Sequence, residues 1–284
     1  MKQLGLYGKA FLVQLIIVVV LSLYLFLRRG YYDLYIFNKA IAGASAVQLA
    51  LVMLLGTLAR LYEVFDRYFK YRKELGIVAF FFASLHSIVS LFYLPAHFPI
   101  PSYFGSLAGI VSFMGAGIAA IMLLTLFVLS FRFVIDRMNK AIWWKIQYWG
   151  LRGAIAFVLV HVLVKKVPGW IQWYAVGGGM ELARPYLPPT GGVVTSFFLF
   201  VVLVRIVEYV FKRKAYMIVA LLYLLWSSLI GISLQWGLHK TPHALPLDWK
   251  TCTALPASLI RESYPAVCVS ADGRQSVQPV EAVP

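Results

Sequence analysis

The sequence predicts an all-α, polytopic membrane protein, a bundle of about seven transmembrane helices. Three observations carry that prediction. The 284 residues are 61% hydrophobic and only 13% charged, and mean hydropathy is +0.80, a profile foreign to soluble domains. Apolar runs of about 20 residues recur, each long enough to cross a hydrocarbon core about 30 Å thick. Lysines and arginines punctuate those runs, so the net charge of +15 reads as membrane topology. No nucleic-acid-binding module accompanies the charge, which excludes nucleic acid as a partner.

The first span, 9–28, ends at Arg28-Arg29. No small-residue cleavage site follows it, so it reads as an uncleaved span. Further spans are expected over 37–59, 75–95, 104–131, 146–165, 193–211 and 215–238. The sixth carries Arg205 and Glu208, three apart and therefore on one helical face. They read as an ion pair facing the bundle, with the proton path of a small-solute transporter as the alternative.

Loops following the even-numbered spans hold RLYEVFDRYFKYRKE, Arg132 to Lys145 and the run Lys212-Arg213-Lys214, whereas PAHFPIPSYF has no cation. The richer side is expected to be cytoplasmic. That places the N-terminus inside and the tail outside a plasma membrane, most simply a bacterial inner membrane. The tail, 239–284, is polar and Pro-rich, and Cys252 and Cys268 fit one disulfide there. The expected segments are 1–36 (first helix and external loop), 37–166 (core), 167–238 (loop and two helices) and 239–284 (tail). No Walker A motif is present, and VGGGMELARP lacks the strand–helix context of a dinucleotide fingerprint. The chain therefore brings no nucleotide-binding domain, and no catalytic side chain is expected.

Of five histidines, only His86 (AFFFASLHSIVSLF) and His161 (GAIAFVLVHVLVKK) fall within spans. Both helices run in the same direction. At 1.5 Å per residue, His86 lies about 16 Å and His161 about 22 Å above the span starts, a difference that tilt absorbs. An imidazole in hydrocarbon must find partners. Two facing imidazoles in a four-helix core are the axial pair of a b-type haem, with each second ring nitrogen bonded to a carbonyl or hydroxyl. Gly115, Gly117, Gly150 and Gly153 permit close helix approach or room for a flat ring. The competing reading gives each histidine a hydrogen bond to a neighbouring helix. A zinc site lacks a third ligand at that depth. His97, His239 and His243 read as solvated or interfacial.

RKELGIVAFFFASLH, followed by WWKIQYWGLRGAIAFVLVH, resembles the ferric reductase-like transmembrane superfamily over about 40–165, most closely its MsrQ-like (YedZ-like) branch, with STEAP-like proteins as further kin. The resemblance implies a haem-binding core of helices 2–5, with His86 and His161 in the outer of two haem layers. The inner-layer positions are Arg72 and Tyr148 in this chain, which implies one haem rather than two and speaks against methionine sulfoxide repair. Electrons must then cross the inner half by another carrier. The resemblance offers a flavin or a quinone there, near Arg72, Lys73, Lys145, Tyr148 and Arg152. Lys165 and Lys166 are placed to meet haem propionates, or to reach the interface as helix-end lysines do.

The expected function is haem b electron transfer from a cytoplasmic flavin reductase or quinol to an external acceptor, such as ferric iron or a periplasmic redox protein. The expected partners are those two and membrane lipid. The alternatives are a haem-binding or structural subunit of a larger redox complex, and the small-solute transporter.

Overall fold

The computed structural model describes residues 2–179, 182–244, 248–254, 258–262, 265–270 and 275–279. Seven long helices follow one another: α1 (Lys2–Arg29), α2 (Leu34–Leu61), α3 (Arg72–Ile88), α4 (Leu107–Val128), α5 (Lys140–Val176), α6 (Thr190–Phe211) and α7 (Ala215–Ala244). Six helical stretches are long and apolar enough to cross a membrane, and the last of these, Thr190–Lys240, comprises both α6 and α7. The chain reverses at Lys212–Lys214, where Lys212 adopts φ +51°. Phe200 then stacks on Trp226, and the Trp226 indole donates to Ser196 Oγ. The sixth and seventh helices thus pack as a hairpin within that stretch.

Helix starts follow from caps. Asp33 accepts from the Ile36 amide, Ser106 from Gly109, and Asn139 from Ala141 and Ile142, which satisfies donors that a helix leaves open at its N-terminus. The third span continues past α3 as a π-helical turn, Val89–Tyr93. The fifth runs beyond the expected 165, because Pro168 removes only its own amide donor to Val164 and the helix survives that loss. Its 37 residues make a rod about 55 Å long, closed at Gly177, where φ is +84° and a side chain would be strained.

Helix α2 is the centre, packed on α1, α3 and α6. The main core joins Leu49, Met53, Ile155, Phe198, Val201 and Val204. By contrast, α1 and α7 turn Ile16, Val19, Leu23, Leu225, Leu229 and Ile232 outward, the surface expected against lipid tails.

The core helices associate as two tight pairs, α2 with α3 and α4 with α5. Contact between the pairs is light, and α3 scarcely touches α5. Glycines set the second pair. A Cβ on Gly115 would come within 3.2 Å of the Phe157 carbonyl oxygen and 3.5 Å of the His161 nitrogen. Cβ atoms on Gly150 and Gly153 would strike Leu126 and Met122. These three glycines serve close approach, while Gly117 faces open space.

The tail is not wholly irregular. A short helix, α8 (Trp249–Ala254), packs on an antiparallel three-stranded sheet of β1 (Leu259–Arg261), β2 (Val267–Val269) and β3 (Gln275–Val277). A disulfide joins Cys252 on α8 to Cys268 on β2, with Cα atoms 6.2 Å apart. Asp248 caps α8 through the Thr251 amide, and hydrogen bonding from the Thr251 side chain, then from that amide, holds its carboxyl below the usual range.

Candidate functional site

His86 occupies the last turn of α3, and its Nδ1 lies 3.0 Å from Asn38 Oδ1 on α2. Asn38 is fully buried, and its Nδ2 donates to Ser90 Oγ, 2.8 Å away in the π-helical turn. In this amide orientation Oδ1 faces the ring and accepts the Nδ1 proton of His86. His161, midway along α5, places its Nδ1 2.9 Å from the backbone carbonyl oxygen of Ser112 on α4. A carbonyl only accepts, so this ring too carries its proton on Nδ1. Ser112 Oγ stands 3.1 Å from the same nitrogen. In both rings Nε2 is the nitrogen not engaged by these bonds.

The two imidazoles belong to different helix pairs. His86 hangs from the α2–α3 pair and His161 from the α4–α5 pair, on either side of the light contact between them. They are within electrostatic reach of each other and of Lys166. Two imidazoles, each anchored through Nδ1, are the nitrogen donors that would hold a haem iron between them. The residues fit that group.

The positions one layer away along the same helices look different. The Arg72 Nε donates to the Val52 carbonyl at 3.0 Å, and its guanidinium lies against Gly56, where a Cβ would sit 3.0 Å from Arg72 Cζ. Tyr148 carries the Arg152 guanidinium over its ring, 3.3 Å from the centroid, and its hydroxyl accepts from Arg205 at 3.4 Å. Arg205 and Glu208 pair, as their spacing on α6 suggests. The carboxylate also takes Arg60 and, at 2.7 Å, the Thr57 hydroxyl. Glu208 thus ties α6 to the end of α2. Arg60, Arg72, Arg152 and Arg205 all lie within electrostatic reach of this one carboxylate, which leaves the end strongly cationic.

The remaining candidates stand apart. Lys165 is exposed and places its ammonium 3.8 Å from the centre of the Tyr103 ring. Burial raises the Tyr103 hydroxyl above its ordinary pKa. His97 stacks on Tyr35 with ring centroids 4.3 Å apart. The side chain of His243 lies outside the described residues. No group of three or more His, Cys, Asp or Glu suited to a metal ion occurs among the described residues.

Sequence reasoning missed Asn38, Ser90 and Ser112, which orient the rings, and Thr57 and Arg60, which complete the Glu208 tie. A signal existed for Asn38: a carboxamide inside an apolar run, FNKAIAGASAVQLALVML, is as costly as a histidine unless it is bonded.

A family model described as a ferric reductase-like transmembrane component matches residues 41–158. Over that stretch, which holds most of α2–α5, the chain is similar to the ferric reductase-like transmembrane superfamily. The match takes in His86 and Ser112 and ends three residues before His161, on the same unbroken helix. Such a component points to electron transfer within the membrane. No curated protein matches the chain.

Proposed function

We propose that the chain is a membrane electron carrier holding one haem b between His86 and His161. The observation that carries this reading is the shared state of the two rings. Each turns its Nδ1 to an oxygen on a neighbouring helix, which leaves Nε2 as the ring nitrogen facing away from that bond. A haem supplies a one-electron couple when bound. The protein's part is to orient the two rings, to hold each in one tautomer and to keep water from their lone pairs. The Asn38 carboxamide and the Ser112 carbonyl also raise ligand basicity, which favours the oxidised iron and so tunes potential downward.

Electrons enter at the arginine end, which we place in the cytoplasm because loops on that side carry more lysine and arginine. With Arg72 and Tyr148 in the second layer, the donor side needs a flavin or a quinol to cover roughly half the bilayer. The cation excess around Glu208 suits the phosphate of a flavin nucleotide or an acidic face on a flavoprotein. The acceptor waits on the opposite, external face.

An absorption spectrum tests the reading. The purified protein is expected to show a Soret band and a dithionite-reducible α-band. His86→Ala or His161→Ala should abolish both, whereas His97→Ala and His239→Ala should leave them unchanged. A colourless wild-type protein that stays colourless after haem addition removes the electron-carrier reading. Survival of the spectrum in either intramembrane variant removes the ligand assignment.

A further inference from the structure

Two lysines near the histidine pair make no salt bridge among the described residues. Lys39, the residue after Asn38 on α2, is half-buried with its ammonium 3.9 Å from the centre of the Tyr35 ring. It lies within electrostatic reach of Lys166, Arg28, Arg29 and Asp33. Lys166 lies ten residues before the end of α5 and is half-buried. Its stem lies against the start of α6, where a Cβ on Gly191 would come within 2.8 Å of Lys166 Cδ. From there it reaches both His86 and His161 electrostatically.

Among the described residues, the only carboxylate in reach of Lys39 is that of Asp33, which already accepts from the α2 amide of Ile36. Neither ammonium has a hydrogen bond or an ion pair there. Two like charges drawn together in a poorly hydrated place repel each other and lose hydration. An anion between them reverses both penalties, and hydrogen bonds between ionised groups are the strong ones.

We infer that Lys39 and Lys166 bind the two propionate carboxylates of the haem, one ammonium to each. The inference rests on the axial assignment of His86 and His161. A haem carries its two carboxylates on one edge, and the two ammoniums stand on one side of the imidazole pair, away from the arginine end. The ring's charged edge therefore faces the side opposite Arg72 and Tyr148. Lys165, engaged with Tyr103, takes no part.

The test compares haem with its dimethyl ester, which keeps the ring and iron but has no carboxylate charge. Full-length protein is made without haem in haem-deficient cells, placed in lipid nanodiscs and titrated with each compound, with the Soret band as readout. Wild-type protein should bind the ester more weakly, by about tenfold for each charge-assisted hydrogen bond that the ester cannot accept. The double variant Lys39→Met, Lys166→Met should bind both compounds alike, at about the wild-type affinity for the ester. Lys39→Arg with Lys166→Arg should restore the preference. Equal binding of the two compounds by wild type overturns the inference while leaving the axial ligands in place. A methionine double variant that still discriminates overturns it too. Failure of wild type to take up either compound removes the haem reading itself, and this inference with it.

Discussion

The two layers of α3 and α5 carry the same kinds of backbone and opposite chemistry. In one layer, His86 and His161 are held by Nδ1 and leave Nε2 outside those bonds, beside lysines with no salt bridge among the described residues. In the other, Arg72 and Tyr148 are filled in: one guanidinium seals against Gly56, and another lies flat on the phenol ring. The difference lies in what remains unsatisfied. The arginine layer commits its polar groups to a tie between α2 and α6, whereas the histidine layer leaves coordinating atoms open. A helix pair can thus offer a ligand site at one depth and a structural joint at the next.

The largest effect expected from breaking this contrast comes from Gly115→Leu. The added side chain meets the backbone of Phe157 and His161, so α4 and α5 must separate and carry one imidazole out of line. Overpacking of this kind costs about 1–3 kcal/mol, and haem content in the purified protein should fall with the melting temperature. Next is Asn38→Leu, which removes the carboxamide acceptor of His86 Nδ1 and leaves it only the Ser90 hydroxyl, 3.5 Å away. Haem affinity by Soret titration should drop about 10–100-fold, the usual range when a ligand-orienting partner is removed.

Glu208→Gln acts on the other layer and sharpens the comparison. It frees Arg60 and Arg205 from their shared carboxylate. The Arg60 side chain is 47% exposed, so solvent screening limits the loss to roughly 1–2 kcal/mol. Thermal stability in detergent should fall while the absorption spectrum per folded molecule stays unchanged; a spectral change would show that the layers are not independent. Ser112→Ala should do least. The main-chain carbonyl of residue 112 keeps its bond to His161 Nδ1, so haem affinity should change less than about threefold, within the value of one weak hydroxyl contact.

Much of the architecture was legible because the bilayer imposes it. Only helices and closed barrels satisfy their backbone in hydrocarbon, so apolar run length gave the seven long helices to within a few residues at most ends. The continuation of α5 to Val176 was not legible, since Pro168-Gly169 reads as a stop unless packing carries the helix through. Strands of three residues in the tail are too short for a period to register. At the candidate site, the histidines stood out as intramembrane imidazoles, and the spacing of Arg205 and Glu208 announced their pairing. Their partners Asn38, Ser112, Thr57 and Arg60 come from helices that sequence order does not bring together. Nor does sequence say whether a glycine makes a contact or a space, because the atom that would collide belongs to another helix.

Helix α2 holds Asn38 in its second turn and Arg60 at its far end, about 33 Å apart along one rod. It is therefore a shared ruler for both layers, and the matched stretch cuts into it: residue 41 falls after Asn38 and Lys39, and residue 158 falls before His161 and Lys166. A polypeptide trimmed to the matched boundaries would keep one imidazole without its orienting amide, no second imidazole and neither lysine. It would also lose α6, against which α2 is braced. The shortest piece retaining both chemistries runs from Leu34 to Phe211, so the unit that similarity delimits is smaller than the unit that can work.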